Sequence, residues 1–213
     1  MKKMLMFLIL SASFTILSAQ HNWSAFKLGF FDPQATDAGF ILGYQGGKYV
    51  DEFVDIGWSI DWFNKNYVDK ALADQFSQFS PQISGEVNEL RAKTNLHDIP
   101  VMFNITAYFD AGRKLEAFAS AAVGAEVLLV FYRNYQNPED DELKGAFDFS
   151  WRLSGGLVYE LGRRSELLLE LGYHSSAPSW EFEVTDDLGR KRVFERKYDM
   201  SGIMMRAGVK IYY

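Results

Sequence analysis

His174 and Ser176 stand two apart in Tyr173-His174-Ser175-Ser176-Ala177, so on an extended chain they share one face. An imidazole beside a hydroxyl is a start for nucleophilic catalysis, which also needs an orienting acid and donors for an oxyanion. Glu139-Asp140-Asp141-Glu142 gathers hard oxygen donors of the kind calcium takes, without the spacing of a calcium loop. Arg190, Lys191, Arg192, Arg196 and Lys197 form a basic stretch suited to phosphate groups. Both runs read first as solvated loop charge. His21 and His97 read as polar boundary residues, since zinc takes three or four ligands. The chain has 0 cysteines, which excludes thiolate zinc sites and disulfides. No Gly-rich phosphate loop, metal-spaced set or paired-carboxylate motif stands out, so no metal or cofactor is expected.

The elements that would carry these residues begin after an export signal. Lys2 and Lys3 precede an uncharged run from Met4 to Leu17, and the small Ser18 and Ala19 lead into polar Gln20 and His21. These are the three regions of a secretory signal peptide, with cleavage expected after Ala19 and residues 20–213 left as one domain. Lys2 and Lys3 leave with it, so 20 basic residues face 28 acids and the net charge goes from −6 to −8. An acidic chain argues against nucleic acid as a partner. Past the signal the longest apolar run, Ala117 to Val130, is broken by Glu126, so no helical membrane span is expected. A closed barrel is the other structure that satisfies backbone groups in lipid.

The chain reads as such a barrel, all-β and antiparallel. Eight strands are predicted near 22–31, 38–49, 53–64, 99–110, 115–133, 146–161, 166–183 and 200–213, each at least about the length that crosses the hydrocarbon at a tilt. Val54, Ile56, Trp58, Ile60 and Trp62 alternate with Asp55, Gly57, Ser59 and Asp61, and Phe147, Phe149, Trp151 and Leu153 alternate with Asp148, Ser150, Arg152 and Ser154. Tight turns are expected at Asp51-Glu52, Ala111 to Lys114 and Gly162 to Ser165. Longer connections fall at Asp32 to Asp37, Lys65 to Asp98, Asn134 to Gly145 and Thr185 to Asp199, the second with a short helix over Asp69 to Phe79 and a charged stretch over Gly85 to Lys93. Short and long alternate strictly, the order of short periplasmic turns and longer external loops. Aromatics near the strand ends suit interfacial girdles: Trp62, Tyr67, Phe131, Tyr132, Tyr135, Trp180 and Phe182 at one end, Tyr49, Tyr108, Phe109, Tyr159, Tyr212 and Tyr213 at the other.

The last strand sets Ile203, Met205, Ala207, Val209, Ile211 and Tyr213 against Met204, Arg206, Gly208, Lys210 and Tyr212. Its uncharged face ends at Val209, Ile211 and Tyr213, the pattern expected of an insertion signal read by outer-membrane assembly machinery. Turning the uncharged faces to lipid puts Lys27, Asp55, Asp61, Glu116, Glu126, Asp148, Arg152, Glu160, Glu170, His174, Arg206 and Lys210 inside. An interior of eight strands is narrow enough for side chains to fill, so these charges are expected to pair as a plug. Alternation alone leaves the opposite choice open: a soluble periplasmic barrel with an apolar ligand cavity and charges outside.

Lys27-Leu28-Gly29-Phe30-Phe31, the Val54 to Trp62 alternation and the end from Tyr198-Asp199-Met200-Ser201-Gly202 to Ile211-Tyr212-Tyr213 resemble the small eight-stranded outer-membrane β-barrel superfamily, which includes OmpX-like and OmpA-like domains. The resemblance covers essentially all of the mature chain, with Tyr213 where the family usually ends in Phe. It implies an outer-membrane location, contact with lipid and lipopolysaccharide, and a structural or surface-interaction role through external loops. A narrow pore for small solutes is one alternative. Another is a lipid-modifying enzyme, because His174 and Ser176 resemble part of the His-x-Ser-Asn element of lipid A deacylase barrels. Ala177 stands where that family has Asn, and the parity with Leu169, Leu171 and Tyr173 turns His174 and Ser176 inward. A monomeric, non-enzymatic barrel is the expectation.

Overall fold

The computed structural model describes residues 22–68, 93–133, 141–185 and 191–213. Among the described residues ten strands run in chain order as β1 (Asn22–Pro33), β2 (Gly39–Tyr49), β3 (Val54–Val68), β4 (Lys93–Gly112), β5 (Leu115–Arg133), β6 (Asp141–Gly162), β7 (Ser165–Ser175), β8 (Ser179–Thr185), β9 (Lys191–Lys197) and β10 (Gly202–Tyr212). Neighbours from β1 to β7 pair antiparallel in chain order. β10 then joins β7 to β1, so eight strands close into a barrel without a free edge.

Side-chain alternation decides which face looks inward. Phe26, Leu28 and Phe30 on β1, Trp58, Ile60 and Trp62 on β3, Phe147, Phe149 and Trp151 on β6, and Ile203 and Met205 on β10 are all exposed on the outer wall. Asp55 and Asp61, on the opposite parity of β3, are buried. The apolar faces therefore point out and the charges in, the reverse of a soluble ligand-binding barrel.

The turns join β2 to β3, β4 to β5 and β6 to β7, and define one end of the barrel, called here the turn end. Asp51 shapes the first by accepting the N–H groups of Phe53 and Val54 on Oδ1, each at 2.8 Å. At the opposite, loop end several strands outrun the sequence expectation. β4 begins at Lys93 and β6 at Asp141, so both connections are shorter than predicted.

Two prolines punctuate the wall. The predicted seventh strand, 166–183, breaks at Ser176 to Pro178, because proline has no N–H to continue a ladder. Beyond the break the rest of that predicted strand forms β8, which pairs as a hairpin with β9, where the sequence predicts a loop, in register from Ser179↔Lys197 to Thr185↔Lys191. Asp148 on β6 spans the break by accepting the Ala177 N–H on Oδ2 at 2.6 Å. Pro100 interrupts the β3–β4 ladder in the same way, and the paired residues skip Asp61 and Trp62 opposite Pro100 and Ile99.

Candidate functional site

The interior is stacked in tiers from the turn end to the loop end. At the turn end Trp23, Tyr108, Phe118, Val158 and Leu168 pack with Tyr49 and Tyr212. They enclose the Lys210 ammonium, which lies 4.3 Å from the Trp23 ring centroid and 4.6 Å from those of Tyr49 and Tyr108. Such a cation over aromatic faces is stabilised by the ring quadrupoles, more so when desolvated. Lys210 also donates to the hydroxyls of Tyr49 at 2.8 Å and Tyr108 at 2.9 Å, with Asp55 Oδ2 at 3.4 Å. Tyr108 in turn donates to Asp55 Oδ2 at 2.7 Å.

Above this tier, five strands meet through one chain of charges. Arg152 on β6 reaches Asp61 on β3 at 2.6 Å, and Asp61 also accepts Arg206 of β10 at 2.7 Å. Arg206 continues to Glu170 on β7 at 2.8 Å, and Lys27 on β1 closes onto the other Glu170 oxygen at 2.8 Å. Gly43 makes room for this crossing: a Cβ there would collide with Asp61 Oδ1 and stand 3.4 Å from Arg206 Nη1. Each carboxylate takes two cations, an arrangement that offsets the loss of water around a buried charge.

The next tier is carboxylate-rich. His174 Nε2 lies 2.6 Å from Glu126 Oε2, and Ser176 Oγ donates to Glu126 Oε1 at 2.5 Å. The buried Asp98 sits beside Glu126. His174 and Ser176 thus both bind one acid inside the barrel, and neither faces lipid. Beyond them Phe31, Ile41, Phe63, Leu96, Leu128, Val130, Ala146, Tyr198, Met200 and Met204 close the loop end with an apolar cluster. Phe31 bridges the two tiers, with its ring 5.7 Å from His174 and 5.3 Å from Phe63.

The other residues singled out from the sequence scatter. Glu116 and Glu160 follow the inward parity but lie exposed at the turn-end mouth, outside the chain of ion pairs. Asp148 serves the β7–β8 break. Val209, Ile211 and Tyr213 lie exposed on the outer wall of the final strand and beyond it. His97 accepts the Trp62 indole N–H at 3.1 Å on the outer wall. His21, Tyr135 and Arg190, the run 69–79, and all of 85–93 except the β4 residue Lys93 lie outside the described residues. So do Glu139 and Asp140, and of Asp141, Glu142, Lys191 and Arg192 only the backbone is described.

The aromatic girdles need correction. Trp62, Phe131, Phe109, Tyr159 and Tyr213 are exposed on the outer wall, but Tyr49, Tyr108 and Tyr212 turn inward around Lys210. Trp180 stacks on Tyr198 at 5.3 Å. Side chains of Tyr67, Tyr132 and Phe182 are outside the described set. Parity carries the missing signal: Tyr108 continues the inward series Met102, Asn104, Thr106, and Asp98 belongs to the same series.

A closed ring of eight antiparallel strands with lipid-like outer faces and an ion-paired interior decides the architecture. The fold is that of a small outer-membrane β-barrel. Solved structures agree, all at low identity. Neisserial surface protein A is 8% identical with a TM-score of 0.56, the match covering 92% of this chain and 98% of that one. OprG from Pseudomonas aeruginosa is 11% identical at 0.58, over 91% and 96%. A major outer membrane protein from Thermus thermophilus is 12% identical at 0.57, over 90% and 99%. No protein-family model and no curated protein sequence matches the chain.

Proposed function

We propose that this protein is a monomeric outer-membrane barrel with a structural or surface-interaction role, its lumen closed by side chains and its contacts made at the loop end. One observation carries this reading: the interior is filled from a Lys210 cage, through the Arg152–Asp61–Arg206–Glu170–Lys27 chain, to the apolar cluster around Phe31 and Phe63. A solute would have to part ion pairs and then an apolar layer. The exposed apolar outer wall supports residence in a bilayer, since polar backbone is satisfied by closure and charged side chains are kept off the lipid face. The loop-end β8–β9 hairpin carries Arg196 and Lys197, charges of the sign that pairs with lipopolysaccharide phosphates. His174 and Ser176 are each engaged by Glu126 on the inner face of the wall, away from lipid, which supports the non-enzymatic reading over the deacylase alternative.

The test is fractionation of cells producing the full-length chain, with unboiled and boiled samples compared on gels. Recovery in the outer membrane, with a mobility change on boiling, is the expected result. A soluble periplasmic protein with one mobility would overturn the proposal.

A further inference from the structure

In the turn-end half of the wall, charge keeps to the inward parity with one exception among the described strand residues. Asp55, Glu116, Glu160, Glu166 and Lys210 turn to the lumen or its mouth, whereas Lys48 stands on the lipid-facing side of β2. Its Cα partners, Asn22 on β1 and Ile56 on β3, share that outer face. A lipid-facing cation is costly at the midplane and tolerated near the interface, where polar groups can meet it.

Lys48 lines a groove of ≈ 370 Å³ sunk in the outer wall. Gly46 opens the floor, because it leaves β2 without an outward side chain between Tyr44 and Lys48. Tyr44, Trp58, Phe103 and Tyr213 give the groove aromatic sides, and Asn22 joins Lys48 at its polar end. The Trp58 indole leans over the floor, since a Cβ on Gly46 would stand 3.4 Å from its Nε1. Among the described residues the Lys48 ammonium, the Asn22 amide and the Trp58 N–H have no hydrogen-bond or ion-pair partner. The acids nearest in sequence are on the adjoining turn. There Asp51 holds the N–H groups of Phe53 and Val54, and neither it nor Glu52 pairs with Lys48.

We propose that this groove binds one phospholipid of the periplasmic leaflet, with its phosphodiester on Lys48 and Asn22 and one acyl chain along the aromatic sides. The Trp58 N–H lies deeper by about 7 Å of strand, where an ester carbonyl accepts it, so the donors follow the order phosphate, ester, chain. A phosphodiester carries one negative charge, which matches the single outward cation. The site rests on the outer-membrane reading, which puts the short turns, and so Lys48, on the periplasmic side.

Native mass spectrometry reads the site on the full-length protein, folded in detergent micelles and checked for a compact unboiled gel band. Phosphatidylglycerol is added in increasing amounts, or diacylglycerol with the same acyl chains. One phosphatidylglycerol should stay on each barrel at concentrations where diacylglycerol does not. Lys48→Gln should move half-saturation to about tenfold higher lipid, the loss of one charge-assisted contact. Gly46→Val should weaken retention by filling the floor while Lys48 stays. Lys114→Gln, which removes a turn-end cation outside the groove, should leave retention unchanged. Equal retention of the two lipids, or equal losses in Lys48→Gln and Lys114→Gln, would show ordinary lipid contact and overturn the site with the barrel intact. A protein that stays soluble without a compact band would instead overturn the outer-membrane reading, and the site with it.

Discussion

Midway along the lumen, Asp61 and Glu170 join five strands through Arg152, Arg206 and Lys27, while toward the loop end Phe31, Ile41, Phe63, Leu128 and Met204 fill the same interior without a charge. Both tiers are buried and both come from the inward parity of their strands. They differ in what each residue needs. An apolar side chain needs volume filled, and a neighbour of similar size will serve. A charge needs its particular partner, because the one left behind stays buried and uncompensated. Specificity therefore concentrates in the charged tier, and tolerance in the apolar one.

Substitutions that keep size separate the two tiers. Asp61→Asn preserves shape but leaves Arg152 and Arg206 without their shared charge. It should cost about 3–5 kcal/mol in urea unfolding from lipid vesicles, and a loss below 1 kcal/mol would break the contrast. Next in size, a double-mutant cycle of Arg206→Met and Glu170→Gln should return a coupling of about 1–3 kcal/mol, read from the same unfolding curves. Additive effects would mean that the 2.8 Å pair between them is incidental.

Leu128→Met in the apolar tier conserves volume and should cost less than about 1.5 kcal/mol. If the loss equals that of Asp61→Asn, the apolar end is as exacting as the middle. Smallest of all, Glu160→Gln at the exposed turn-end mouth should stay within about 0.5 kcal/mol of wild type. A larger loss would bring that carboxylate into the network from which its position separates it.

Period-2 patterning made the barrel legible because lipid and lumen punish the wrong side chain on every second residue. Asp55, Asp61, Arg152, Glu170 and Arg206 could be placed inward by parity, but their pairing could not be read. Partners such as Asp61 and Arg206 are 145 residues apart and meet only once the barrel closes. The aromatic assignment of Tyr49, Tyr108 and Tyr212 failed for a related reason. Clustering near strand ends does not tell the outer face from the inner, and parity places them around Lys210. Strand β9 is hidden in the sequence because Lys191 to Lys197 is rich in charge, which reads as loop.

Planar-bilayer recording on the purified full-length protein tests the filled lumen most directly. The stacked tiers predict a silent membrane across the usual range of voltage. Reproducible stepwise conductance, present with this protein and absent with the detergent alone, would show that the ion pairs and the apolar cluster part under field and would contradict a closed interior.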